Sequence, residues 1–188
     1  MKKFVLLLGF FVYKTGRAQF TPVSNEDFVN AVAGRVVDSS FSHYFLYALA
    51  SPCSFKKFDY DEWYKYGLKE DIPIYVLNEL AKNAFRDSAP LSWQPDHLSR
   101  AVCISEQKAA EVLVAVQNRH IKHTNSKSAE NSIVFYFSRP VFTNDYQYAA
   151  IDMGFRCDDR QCGMGATFLF RCIDDKWKLA GKKLVWGN

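Results

Sequence analysis

The C-terminal third of the chain alternates apolar and polar residues with period two, and two turns placed on it separately give one register. A two-residue turn at Asp174-Asp175 pairs Ile173 with Lys176, so Cys172 faces Trp177 and Phe170 faces Leu179. A four-residue loop at 158–161 pairs Cys157 with Cys162, then Phe155 with Met164, Met153 with Ala166 and Ile151 with Phe168. Residues directly opposite in an antiparallel pair share a face. Both turns therefore build the same apolar face from Ile151, Met153, Phe155, Met164, Ala166, Phe168, Phe170, Trp177 and Leu179. A slip of one residue would scatter that set over both faces. Strands are expected near 133–138, 146–156, 164–173 and 177–185, and the short loops between them imply antiparallel neighbours. The other face is mixed, with Tyr136, Tyr148, Asp152, Arg156, Thr167, Leu169, Arg171 and Lys178.

The N-terminal half has the helical period instead. Ser24 or Asn25 can cap a helix carrying Phe28, Val29, Val32 and Ala33, with Gly34 at its end. The run 41–50 is predicted helical, with Phe41, Tyr44, Phe45, Ala48 and Leu49 on one side and Ser51-Pro52 as its stop. Pro73 starts a further helix with Val76, Leu77, Leu80, Ala81, Ala84 and Phe85 inward, closed by Ser88-Ala89-Pro90. Ser105 caps another over 106–118, with Ala109, Val112, Leu113 and Val116 inward; the β-branched residues of 112–116 leave a strand there as the alternative. The fold class this implies is α+β, with N-terminal helices packed on a C-terminal antiparallel sheet of about four strands.

Residues 1–18 have the layout of a secretory signal peptide: Lys2-Lys3, an apolar run over 4–13, and small residues Gly16 and Ala18. The run is about half the length a membrane span requires. The expectation is cleavage after Ala18, a single domain over 19–188, no stable membrane insertion of the mature chain, and a secreted or periplasmic location. The whole chain carries 24 Lys and Arg against 20 Asp and Glu. Losing Lys2, Lys3, Lys14 and Arg17 leaves it neutral, which removes the electrostatic basis for nucleic-acid binding. Export also gives the five cysteines a disulfide-permitting environment. Cys157 and Cys162 are expected to staple the hairpin. Cys53 and Cys103 are open to pairing, and Cys172 is expected as a small buried hydrophobe.

The segments Ser138-Arg139-Pro140-Val141-Phe142, Tyr148-Ala149, Cys157 with Cys162-Gly163-Met164-Gly165, and Lys176-Trp177-Lys178 are similar to a group of uncharacterised secreted proteins of Bacteroidetes-type bacteria. That resemblance covers the C-terminal third and implies export and the hairpin, with no activity to transfer. The order of helices followed by strands loosely resembles the nuclear-transport-factor-2-like and cystatin-like fold, which hosts unrelated functions.

No nucleophile elbow or zinc-protease motif occurs. His120 and His123 stand three apart, without the further ligands zinc requires. No metal and no cofactor is expected. The aromatic and basic stretch 55–66 around Trp63 is diluted by acids. Tyr148, Asp152 and Arg156 alternate along one strand, and Arg171 shares their facing on the next. This set is the candidate ligand-binding site for a small polar ligand, a glycan or a peptide. The leading functional expectation is an exported binding or interaction domain. The alternative is a small extracytoplasmic hydrolase using Asp152 with a histidine. Mass spectrometry of the exported protein should find a mature N-terminus at Gln19, and a membrane-sedimenting chain that begins at Met1 would refute the signal-peptide reading.

Overall fold

The computed structural model describes residues 22–55, 62–120, 133–157 and 163–187. The expected signal segment, residues 56–61 of the aromatic stretch, His123, the 158–161 loop and Cys162 lie outside the described residues.

The first helix, α1 (Asn25–Val32), begins at Ser24, whose hydroxyl accepts the Asp27 amide at 3.0 Å. It buries Phe28, Val29 and Val32 and ends in a 3-10 turn over Ala33–Arg35. Two strands follow, β1 (Tyr44–Tyr47) and β2 (Leu49–Ala50), then a single π turn over Trp63–Gly67. Next come α2 (Ile74–Arg86), β3 (Leu91–Ser92), β4 (Ala101–Ile104) and α3 (Glu106–His120). The chain closes with β5 (Val134–Phe137), β6 (Val141–Phe142), β7 (Tyr148–Arg156), β8 (Gly163–Ile173) and β9 (Lys176–Gly187).

The main sheet has seven strands in the order β4-β1-β5-β7-β8-β9, with β6 also paired to β7. β1 runs parallel to both β4 and β5, and the other pairs of this sheet are antiparallel. β2 and β3 form a second sheet of two antiparallel strands. The expected fold class is thus corrected. Helices are interspersed along the chain, and the sheet is larger than four strands and mixed. The reason lies in 41–50, where a strand replaces the predicted helix. Tyr44 and Leu46 are buried on one face, and Phe45 and Tyr47 are half-buried on the other. A central strand covered on both sides reads as a continuous apolar run, which periodicity does not separate from a buried helix.

The register of β7, β8 and β9 is the one the turns predict. Phe155 pairs with Met164, Met153 with Ala166, Ile151 with Phe168, Phe170 with Leu179 and Cys172 with Trp177. One face packs on α1, where the Phe28 ring meets those of Phe142, Phe170 and Trp177 at centroid distances of 5.2, 5.7 and 4.9 Å. The opposite face is covered too. α2 and the π turn bury Tyr148, Ala150, Leu169 and Ala180 under Trp63, Val76, Leu77 and Leu80. α3 is the crossover from β4 to β5 and packs Ala109 and Leu113 on Ile104 and Val134. Phe85, expected inward, is 74% exposed, because α2 turns Val76, Leu77, Leu80 and Ala84 to the sheet instead.

Of the disulfide expectations, Cys157 is disulfide-bonded to a partner outside the described residues, where Cys162 lies, and no two described cysteines are bonded to each other. Cys53, Cys103 and Cys172 carry free thiols, so the open Cys53–Cys103 pairing is absent.

Asp174 and Asp175 sit at φ 51° and 57°. Positive φ at both central residues is the type I′ hairpin turn, whose preferred pair is Asn-Gly. Replacing the two residues by Asn and Gly should stabilise the protein by about 0.5–1 kcal/mol. The thermal midpoint should rise by roughly 1–4 °C; an unchanged or lower midpoint would contradict the turn assignment.

Candidate functional site

Alternation puts Tyr148, Asp152 and Arg156 on one face of β7, and the structure keeps them there. A strand rises about 3.3 Å per residue, so each step of four residues covers about 13 Å. The three side chains consequently enter three different surroundings.

Tyr148 pairs with Arg171 on β8, whose guanidinium lies 5.6 Å from the tyrosine ring centroid. Arg171 also reaches Glu70 at 3.6 Å. Burial raises the Tyr148 phenol above its usual range, and the Arg171 charge opposes that rise.

Asp152 pairs with Thr167. The Thr167 hydroxyl donates to Oδ1 at 2.6 Å, and the Ser54 amide donates to Oδ2 at 2.5 Å. The Ser54 and Thr167 hydroxyls stand 3.4 Å apart. Ser138 is fully buried beside them, its hydroxyl accepting the Asp152 amide at 2.9 Å. Residues 51–55 thereby cross the sheet as a strap. Arg139 N–H donates to the Ser51 carbonyl at 2.8 Å, and Cys53 and Phe55 are buried under α2. Burial pushes the Cys53 thiol far up, which keeps it protonated and unreactive.

A cavity lies on each side of the strap. The smaller, about 340 Å³, is bounded by Ser54, Phe55, Trp63 and Thr167, with the Lys183–Glu62 ion pair at its edge. The larger, about 610 Å³, is lined by Tyr47, Leu49, Ser51, Ile104, Tyr136 and Arg156, with Ser105 and Glu106 at the start of α3. Its size suits a small-molecule site. Leu49 is 63% exposed there. The cavity takes the last residues of the parallel strands β1 and β4, Tyr47 and Ile104. Carboxyl ends of parallel strands are where α/β sheets bind ligands. Ser105 fixes the helix start at this wall by accepting the Lys108 amide at 3.2 Å.

Of the residues expected to form the site, then, Tyr148 and Arg171 meet, Asp152 holds the strap, and Arg156 alone borders the larger cavity. His43 and His97 are exposed, and neither lines a cavity beside the strap. The sequence reading missed Tyr47, Leu49, Ile104 and Glu106, which come from separate elements and form no motif. Tyr136 was legible as a member of this face. No family profile, no curated protein and no solved structure matches the chain.

The Asp152 carboxyl sits above the usual carboxylate range, chiefly because burial disfavours its charge, with the bonds from Thr167 and Ser54 partly offsetting this. A raised native value means that the folded state holds the proton longer than the unfolded chain does. The stability linked to this group is therefore fully present below the unfolded carboxylate value of about 4. It is lost as pH rises through the native value. In Asp152→Asn that dependence should vanish, so the stability difference between wild type and variant should shrink with rising pH. Denaturant unfolding across pH measures it; parallel profiles would contradict the assignment.

Proposed function

We propose that the protein is exported to the periplasm or the cell exterior and acts there as a binding domain for a small organic ligand. The reading rests on one observation: a cavity of about 610 Å³ whose apolar walls, Tyr47, Leu49, Ile104 and Tyr136, are joined by one arginine, one carboxylate (Glu106) and the hydroxyls of Ser51 and Ser105. Apolar walls with a small number of placed polar groups are the usual composition of a ligand site. An exposed leucine at the mouth has no role in the core. The order of basic, apolar and small residues over 1–18 supports export. Among the described residues no helix is long and apolar enough to cross a membrane. Of the ligand classes raised by the sequence, a compact molecule with an apolar body suits these walls better than a glycan or an extended peptide.

N-phenyl-1-naphthylamine, a neutral apolar fluorophore, should bind saturably at one site. Tyr47→Ala and Leu49→Lys should each weaken it about tenfold with an unchanged near-ultraviolet circular dichroism spectrum. Equal affinity in wild type and both variants would place no ligand in this cavity.

A further inference from the structure

The cavity's floor has a feature that goes beyond its volume. Tyr136 pairs with Gly154, and a Cβ at Gly154 would stand 2.1 Å from the tyrosine hydroxyl oxygen and 2.4 Å from Cζ. The side chain therefore lies against bare backbone, where only glycine leaves room for it. The next residue across the ladder, Gly165, also lacks a side chain. The Tyr136 hydroxyl extends over this strip to the Met164 carbonyl at 3.5 Å. One side of the ring is spent on the sheet, and the ring forms part of the cavity lining.

Arg156 follows Gly154 by two positions on the same face of β7, so the guanidinium is rooted about 7 Å along the strand from the ring's seat. A guanidinium presents five N–H donors in a planar fork, stays charged, and matches carboxylate or sulfonate oxygens. Five donors exceed what one partner uses. Flat aromatic surfaces bind other rings by offset or edge contact. Tyr47 and Leu49 complete the apolar side of the same space. Glu106 at the mouth acts against an anion, but it is exposed and stands at the first position of α3, where the helix dipole offsets part of its charge.

We propose that the ligand of this cavity is a flat aromatic anion, its ring against Tyr136 and its acidic group on Arg156. This rests on the cavity reading above. Two probes that differ by one sulfonate separate the two claims: 8-anilinonaphthalene-1-sulfonate and its neutral parent N-phenyl-1-naphthylamine. The wild type should bind the sulfonate at least tenfold more tightly. Arg156→Gln should weaken the sulfonate far more than the neutral probe and bring the two to within twofold of each other. Glu106→Gln should tighten the sulfonate about threefold. Tyr136→Ala should weaken both probes, and Tyr136→Phe should retain both. Each variant is checked for native near-ultraviolet circular dichroism. Equal affinity for both probes in the wild type, or sulfonate binding that ignores Arg156→Gln, overturns the anion while leaving the cavity. If neither probe responds to Tyr47→Ala or Leu49→Lys, the cavity reading fails and the anion with it.

Discussion

The β7–β8 ladder is the constraint from which the other elements take their positions. Nine residue pairs run from Tyr148–Arg171 to Arg156–Gly163, and alternation divides their side chains between two covered faces. Ile151, Met153, Ala166, Phe168 and Phe170 go to α1, while Ala150 and Leu169 go to α2. Burial on both faces makes the register costly to change, since a one-residue slip would exchange the contents of two cores at once. It also explains why the ladder's polar members are so few. Thr167 is the buried polar side chain of β8, and it is committed to Asp152.

Asp152 shows how such a ladder can hold a structure that is not a strand. A carboxylate taken out of water is costly unless it is hydrogen-bonded. Here one oxygen takes a side-chain hydroxyl and the other a backbone amide from a segment 98 positions away in sequence. The bond to Ser54 gives the strap a defined height above the sheet, and Ser51 is held separately by Arg139. That height fixes the wall between the two cavities. The carboxylate is thus better understood as a positioning group than as a lone charge waiting for a substrate. Its raised proton affinity follows from the same burial.

What was legible in the sequence follows the range of the interactions. The Asp174-Asp175 turn, the β8–β9 pairing and the caps at Ser24 and Ser105 are decided within a few residues, and each appears where local chemistry places it. β1 was misread because its four residues are apolar on both faces. β4 passed unnoticed because a short Ala-Val-Cys-Ile run gains strand character only by pairing with β1, some sixty residues earlier. Parallel pairing across a helical crossover has no local signature. The site suffered from a related limit. Period two shows which residues share a face, as it did for Tyr148, Asp152 and Arg156, but not how far apart they stand or which segment lies over them.

The misread strand is also what makes the cavity. With 41–50 as a helix, the sheet would be antiparallel throughout, and no strand end would open onto the start of a helix. With β1 parallel to β4 and β5, α3 must leave β4 at Ile104, climb over β1 and return to β5. Its packing leaves Tyr47, at the end of β1, only half-buried. The strap leaves on the other side of that residue, toward Asp152. Between the departing helix and the departing strap the sheet is left open above Tyr136, whose ring lies flat on the room that Gly154 leaves. The cavity is therefore a consequence of topology, present because two chain segments diverge from adjacent parallel strands, while Tyr136 and Arg156 decide what chemistry it offers.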